Sequence, residues 1–353
     1  MSIKNLRRQI DTIDSSLVRM LNQRAKISLD IARIKRKAGK SAYSPDREVE
    51  VLKKASAANK GPLGRRALEG IYREIMSGSL ALDAPLRVAY FGPEATFTHL
   101  AAMKRFGSQV EYIPCHSIAD VFLEVERDNA DYGVIPVENS IEGAVNHTLD
   151  MLVDSDLKIA TQIIFDISHN LLAKCRKEEI KRVYSNPHVF GQCRIWLKEN
   201  LPHAENIEVS STTRAAQIAS REKSSACIAS LLAARIYALK VIAMHIEDSP
   251  HNITRFLVVG KNDVPRSGND KTSIMFSIKD KVGALYDILV SFKKYRINLT
   301  KIESRPSKKK AWDYYFFVDL DGHKDDAGVK KALNEVEHKT KFFKVLGSYP
   351  VAD

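Results

Sequence analysis

The chain has 353 residues, 44% of them hydrophobic and 28% charged, enough for two or three domains each with its own core. No apolar run reaches membrane-spanning length, the opening residues lack a signal-peptide core, and the four cysteines (Cys115, Cys175, Cys193, Cys227) show no C-x-x-C spacing. The expectation is therefore a cytoplasmic protein with free thiols, without membrane contact, disulfide framework or metal site. The net charge of +12 is uneven, since residues 1–82 hold 18 Lys/Arg against 8 Asp/Glu. A basic helical segment poor in aromatics points to a small, highly anionic ligand before a nucleic acid.

Residues 3–37 read as one long helix. Apolar side chains recur at Ile3, Ile10, Leu17, Ile31 and at Leu6, Ile13, Met20, Ile27, Ile34, a heptad seam in which Arg24 takes an a position. A charge on such a seam either snorkels at its rim or meets a partner. Lys35 lies about 20° around the axis from Arg24 and shares its face, whereas Arg7 lies about 100° off it and suits a site on a neighbouring subunit. Gly39 ends the helix. Ser44-Pro45 supplies an N-cap and a first-turn proline for a second helix that carries Arg47 and Glu48, Gly61-Pro62 ends that one, and a third covers 63–82. Three helices with so long a first member enclose little core alone, so a homodimer is expected.

Asp83-Ala84-Pro85 reads as a linker, and beyond it strands and helices alternate as in an α/β domain. The β-branched run 132–137 predicts a buried strand, followed by Glu138-Asn139-Ser140 and helical spacing over 141–153, which predicts a capped helix whose mouth favours anions. Two further junctions share that design: strand 88–91 into Gly92-Pro93-Glu94-Ala95-Thr96-Phe97, and strand 207–209 into Ser210-Ser211-Thr212-Thr213. One such mouth is also the mark of an ordinary capped helix; three in one domain suggest a shared anion pocket. Residues 252–259 read as a strand interrupted by polar Thr254 and Arg255. The histidines show no H-E-x-x-H pattern, and G-x-S-x-G is absent. After a linker over 261–271, the predicted order is strand 272–278, helix 283–294, strand 297–305, strand 312–320, helix 325–338, strand 341–348, a ferredoxin-like βαββαβ unit.

These motifs carry three resemblances. Leu6-Arg7, Gln23-Arg24, Lys35, Pro45-Asp46-Arg47-Glu48 and the run from Tyr72 to Ser77 resemble the all-helical chorismate mutases, which are intertwined dimers. The resemblance implies that Arg24 and the partner chain's Arg7 hold the substrate carboxylates, that Lys35 meets the ether oxygen and Glu48 the ring hydroxyl, and that Arg47 and Ser79 are further site positions. Ser44 stands where many members have an aspartate, and Asp83 near where members have a Gln or Glu that donates to the ether oxygen. A pericyclic rearrangement needs no nucleophile; it needs the compact conformer held and charge on the ether oxygen stabilised.

Gly92-Pro93-Glu94 with Thr96-Phe97-Thr98, Pro136 to Ser140 with Glu142-Gly143, His169, Gln192-Cys193, Ser211-Thr212 and Thr254-Arg255-Phe256 resemble prephenate dehydratase, a fold of two α/β lobes around a cleft like that of bacterial solute-binding proteins. Thr254 is then the catalytic hydroxyl, Arg255 and the helix mouths hold carboxylates, and Thr96, Phe97, Glu138, Asn139, Ser140, His169, Ser211, Thr212 and Phe256 are substrate contacts. Ala95 replaces a usual glycine, so a left-handed backbone there would strain it. Finally, Gly283-Ala284-Leu285 and Glu303-Ser304-Arg305-Pro306 resemble the phenylalanine-binding motifs of ACT regulatory domains, which implies L-phenylalanine bound between two such domains, with Asn298 and Leu299 as contacts.

The order of segments, helical 1–83, two-lobed 86–260 and regulatory 271–353, is that of the bifunctional chorismate mutase–prephenate dehydratases, and no organic cofactor is implied. Two rivals are a dehydratase preferring arogenate or carrying a crippled mutase, and a catalytically dead amino-acid sensor that uses a solute-binding cleft.

Overall fold

The long first helix, α1 (Ile3–Lys37), opens on Ser2, whose side chain accepts from the Asn5 N–H, and closes on Lys35, Arg36 and Lys37, cations suited to a helix C-terminus. It buries no residue, and its apolar seam from Ile3 to Ile34 stays 43–71% exposed. Pro45 starts α2 (Pro45–Ala58), with Asp46 and Glu48 in its first turn, and α3 (Arg65–Ala81) follows. In this computed structural model, residues 2–38, 43–82, 84–279, 281–307 and 314–351 are described, so the expected break at Gly39 and the expected site residue Asp83 lie outside the described residues. The helices form one unit, residues 1–87 together with 105–111; residues 88–104 and 112–353 form a second.

The second unit alternates as expected: β1 (Arg87–Phe91), α4 (Phe97–Phe106), β2 (Glu111–Cys115), α5 (Ile118–Glu126), β3 (Tyr132–Asn139), β4 (Gly143–Ala144), α6 (Asn146–Asp154) and β5 (Lys158–Asp166). Next come β6 (Asn170–Ala173), β7 (Arg182–Ser185), α7 (Pro187–Gln192), α8 (Arg194–Asn200), β8 (Glu205–Glu208), α9 (Thr212–Ala219), β9 (Ser225–Ala229), α10 (Leu231–Ile236), β10 (Lys240–Ala243) and β11 (Ile253–Gly260). The first sheet has the order β2-β1-β3-β11-β5, the second β10-β6-β9-β7-β8. The chain passes to the second lobe between β5 and β6 and returns between β10 and β11, so β11, late in sequence, lies antiparallel between β3 and β5. The last stretch is β12 (Asp270–Ser277), α11 (Ala284–Lys294), β13 (Leu299–Pro306), β14 (Tyr314–Asp321), α12 (Ala327–Lys339) and β15 (Phe342–Pro350), with the antiparallel order β13-β14-β12-β15. The expected succession of helical, two-lobed α/β and ferredoxin-like folds is therefore observed.

One expected helix start is corrected. Residues 141–145 are not helical: Gly143 takes φ +81° and Gly143–Ala144 folds back to pair with Asn139 and Glu138, so α6 begins at Asn146. A glycine in the left-handed region turns the chain where apolar spacing alone predicted a helix.

The third sheet shares its core with the first lobe. Met275, Phe317, Leu346 and Tyr349 pack in the same cluster as Phe122, Ile135, Leu152, Ile159 and Leu257. At Gly347 the approach is so close that a Cβ would sit 2.3 Å from the Ile159 carbonyl oxygen, which only glycine allows.

Candidate active sites

Within the helical unit, a cavity of about 480 Å³ is lined by Arg24, Ser28, Lys35, Ser44, Arg47, Glu48 and Ser79 among apolar side chains such as Met20, Ile27, Ile31 and Val51. The seam reading of Arg24 resolves here: its Nη1 donates to Ser79 Oγ at 3.0 Å, and Ser79 in turn donates to the Ile75 carbonyl at 2.7 Å. Lys35 Nζ donates to Ser44 Oγ at 2.6 Å, so the serine where many mutases have an aspartate still contacts the lysine. Glu48 is buried and accepts from the Tyr43 hydroxyl at 2.7 Å. Arg47 pairs with Glu50 on its own helix. Arg7 is exposed on α1 and does not line the cavity. Three cations, one carboxylate and several hydroxyls thus line a largely apolar cavity, a setting for a rigid dianion.

The second constellation sits where β11 meets β3. Thr254 is the cross-strand partner of Asn139, and Arg255 that of Glu138. Successive strand residues face opposite sides, so the sequence motif splits into two pairs. On one face, Asn139 Nδ2 donates to Thr254 Oγ1 at 2.8 Å and to Asn252 Oδ1 at 2.7 Å, while Asn139 Oδ1 accepts from the N–H groups of Ile141 and Glu142. Asn139 therefore organises a turn instead of capping a helix. Ser140 Oγ donates to the His251 carbonyl and accepts from the Ile253 N–H, which clamps the residues just before Thr254.

The chain of contacts continues into the second lobe. Asn252 Nδ2 donates to Gln192 Oε1 at 2.8 Å, and His169 Nε2 lies 2.7 Å from the same oxygen. With Gln192 Oε1 as acceptor, the His169 proton is on Nε2, which leaves the buried Nδ1 with no partner among the described residues. Burial pushes the His169 imidazole below its ordinary range, against upward pulls from Gln192 and Glu247. Phe97 stands edge-on to His169 with ring centroids 5.5 Å apart. Phe256 is buried in the strand interior. Gln192 and Asn252 lie outside the expected site residues; the Gln192-Cys193 match is the signal for the first, whereas Asn252 enters the sequence reading only as the start of a strand.

Two of the three expected helix mouths exist. Thr96 precedes α4 and accepts from the His99 N–H; Ser211 caps α9 by accepting from the Arg214 N–H at 3.1 Å. They are tied together, since Thr213 donates to the Glu94 carbonyl and Ser230 to the Ala95 carbonyl, each at 2.9 Å. Ala95 takes φ +69°, the left-handed conformation feared from its sequence position.

On the other face of β11, Arg255 donates to Glu138 at 3.0 Å, to Asp319 at 2.6 Å and to the Tyr349 hydroxyl at 2.9 Å, and Glu138 also binds Lys301. Burial raises the Glu138 carboxyl but is outweighed by Lys301 and Arg255, which hold it below its usual range. The two expected substrate contacts are thus turned to each other and to the third sheet. Among the expected effector residues, Gly283 takes φ +78° before α11, Asn298 donates to Asp321 at 2.9 Å, and Ser304 is exposed on edge strand β13 while Leu299 and Glu303 are half-buried. Arg305 makes a two-pronged pair with Asp150, at 2.5 and 2.6 Å.

Three family models match: chorismate mutase type II over residues 6–84, prephenate dehydratase over 88–264 and the ACT domain over 272–338. The bifunctional chorismate mutase/prephenate dehydratase of Aquifex aeolicus is 52% identical over 355 residues, covering 99% of this chain and 98% of that protein. The enzyme of the same name from Escherichia coli K12 is 28% identical over 98% of this chain and 95% of its own length. Among solved structures, the prephenate dehydratase of Arthrobacter aurescens in complex with L-Phe superposes with a TM-score of 0.71 at 33% identity, covering 76% of this chain and 91% of that one. No helix among the described residues is long and apolar enough to cross a membrane. With a cavity lined by three cations and one carboxylate in the helical unit and a hydrogen-bonded threonine–asparagine pair in the α/β unit, the chain belongs to the bifunctional chorismate mutase/prephenate dehydratases, converting chorismate to prephenate and prephenate to phenylpyruvate.

Proposed function

We propose that chorismate rearranges in the helical cavity and that prephenate is dehydrated at Thr254. In the cavity, Arg24 with Arg7 of the partner subunit binds the two carboxylates, Lys35 stabilises charge on the ether oxygen as its bond breaks, and Glu48 holds the ring hydroxyl. Ser79 and Ser44 support this reading, because they already orient Arg24 and Lys35 and little rearrangement remains for the substrate to drive. The half-exposed seam of α1, which buries no residue, supports an intertwined dimer in which the seam is covered and Arg7 reaches the neighbouring site.

The observation that carries the dehydratase assignment is the direction of one hydrogen bond. Thr254 Oγ1 accepts from Asn139, so its own hydrogen stays available, and it has no acceptor among the described residues. That O–H donates to the departing ring hydroxyl while the carboxylate leaves as carbon dioxide and the ring becomes aromatic. A threonine is a weak acid, so it stabilises the leaving hydroxide by hydrogen bonding. His169 Nδ1 and the mouths of α4 and α9 face the substrate's polar groups, and the neutral imidazole serves as an acceptor. L-phenylalanine inhibits by binding at Gly283–Leu285 and β13 between two copies; the phenylalanine-bound relative supports this. The cytoplasm, with its reduced thiols, suits the four free cysteines.

The test is phenylpyruvate formation from chorismate and from prephenate, each with and without L-phenylalanine. Thr254→Ala is expected to lose about 10²–10³-fold in dehydratase kcat with mutase activity intact. A Thr254→Ala enzyme of full dehydratase activity would overturn the assignment.

A further inference from the structure

Glu48 has a second buried partner that no mutase motif contains. Arg105, in the last turn of α4, places Nη2 3.1 Å from Glu48 Oε2, the same oxygen that accepts from Tyr43. The Arg105 side chain is 15% exposed and that of Glu48 7%. Burial opposes the guanidinium charge, but Glu48 and Tyr43 more than restore it. The Tyr43 ring packs on Phe106 with centroids 5.2 Å apart.

Arg105 is delivered to this place by a fixed attachment. Residues 105–111 belong to the helical unit. Ser108 bonds Glu74 on α3 through both its N–H and its hydroxyl, and the Gln109 N–H donates to Ser77 Oγ at 3.1 Å. Gly107, at φ +80°, lies so close to α3 that a Cβ would meet Ser77 Cβ at 2.6 Å. The segment is therefore bolted to α3 immediately after Arg105. Both contacts on Glu48 fall on Oε2, which leaves Oε1 for the substrate.

We propose that Arg105 is a positioning residue of the mutase site: acting through Glu48, it fixes the carboxylate with Oε1 offered to the ring hydroxyl. This rests on reading the helical cavity as the mutase site with Glu48 as a substrate contact. The mutase machinery on this account extends past the end of α3 into a segment whose sequence matches the dehydratase model.

The experiment uses the full-length enzyme with Arg105→Met, Arg105→Lys, Glu48→Gln and the double variant Glu48→Gln/Arg105→Met. Arg105→Met is expected to lower mutase kcat/KM by about 10–100-fold, the scale of a misplaced contact, with prephenate dehydratase activity retained as the check on folding. Arg105→Lys recovers part of the loss. The double variant is no worse than Glu48→Gln, because Arg105 acts only through that carboxylate. A sensitive Glu48→Gln beside an Arg105→Met of wild-type mutase activity overturns this inference alone, as does an additive loss in the double variant. A Glu48→Gln of wild-type mutase activity overturns the reading of the cavity and the inference together.

Discussion

Asp319→Asn asks what Arg255 is for. The Arg255 guanidinium, 11% exposed, shares Nη1 between Glu138 and Asp319, and Asp319, 10% exposed, also accepts from Ser273 at 2.5 Å. Removing one partner of a buried ion pair costs about 3–5 kcal/mol when the other charge is stranded. Here Glu138 and Tyr349 remain on the guanidinium, so the expected loss is the smaller figure for one charge-assisted hydrogen bond, about 2–3 kcal/mol. For a unit of this size that lowers the melting temperature by about 4–12 °C. Arg255→Met leaves the buried Asp319 with Ser273 but no cation, so it is expected to destabilise by more, about 3–5 kcal/mol, and to be non-additive with Asp319→Asn, because both break one network. The assays are calorimetric melting and prephenate kinetics, and KM for prephenate is expected to stay within about twofold in Asp319→Asn, since a tenfold change would need about 1.4 kcal/mol of lost substrate binding. Two results refute the reasoning: Asp319→Asn melting with wild type, or Arg255→Met raising KM for prephenate tenfold with melting unchanged. The second would return Arg255 to the substrate.

Two further predictions concern stability. Gly347→Ala places a Cβ against the Ile159 backbone, which cannot yield as a side chain would, and is expected to destabilise by about 1–3 kcal/mol, read as a lower urea midpoint with unchanged slope. His169 has its folded pKa depressed below the unfolded value, so its contribution is complete above about pH 6.5 and is lost as pH falls and the unfolded chain takes up the proton. His169→Gln is therefore expected to flatten the decline of the denaturant midpoint between about pH 6.5 and 5, and identical slopes in the two proteins would refute it.

Much of this architecture can be read without coordinates, and the exceptions have physical causes. The heptad seam of α1 and the βαββαβ order of the last sheet follow from local periodicity, and the positive φ of Ala95 follows from its place in a turn that usually holds glycine. The Glu138-Asn139 and Thr254-Arg255 pairs look like four members of one site because they are neighbours in sequence. The pleat sends one of each pair to Thr254's face and the other to the third sheet, and only the register between β3 and β11 reveals the division. Arg105 lies 57 positions beyond Glu48, and its role depends on how residues 107–109 lock onto α3, a tertiary fact without a sequence period. The missing helix start at Ile141 is a case of apolar spacing overruled by one glycine.

The insertion of β11 between β3 and β5 sets an order on biosynthesis. A nascent chain that has emerged as far as residue 250 holds β3 and β5 with the gap between them unfilled, and it carries no Thr254. The cluster around Ile135 and Ile159 waits longer still, for Leu346 and Tyr349 near the far end of the chain. The first lobe is begun early in translation and completed almost last, so a ribosome that stalls before the third sheet releases a chain that already carries Thr254 but exposes an apolar face.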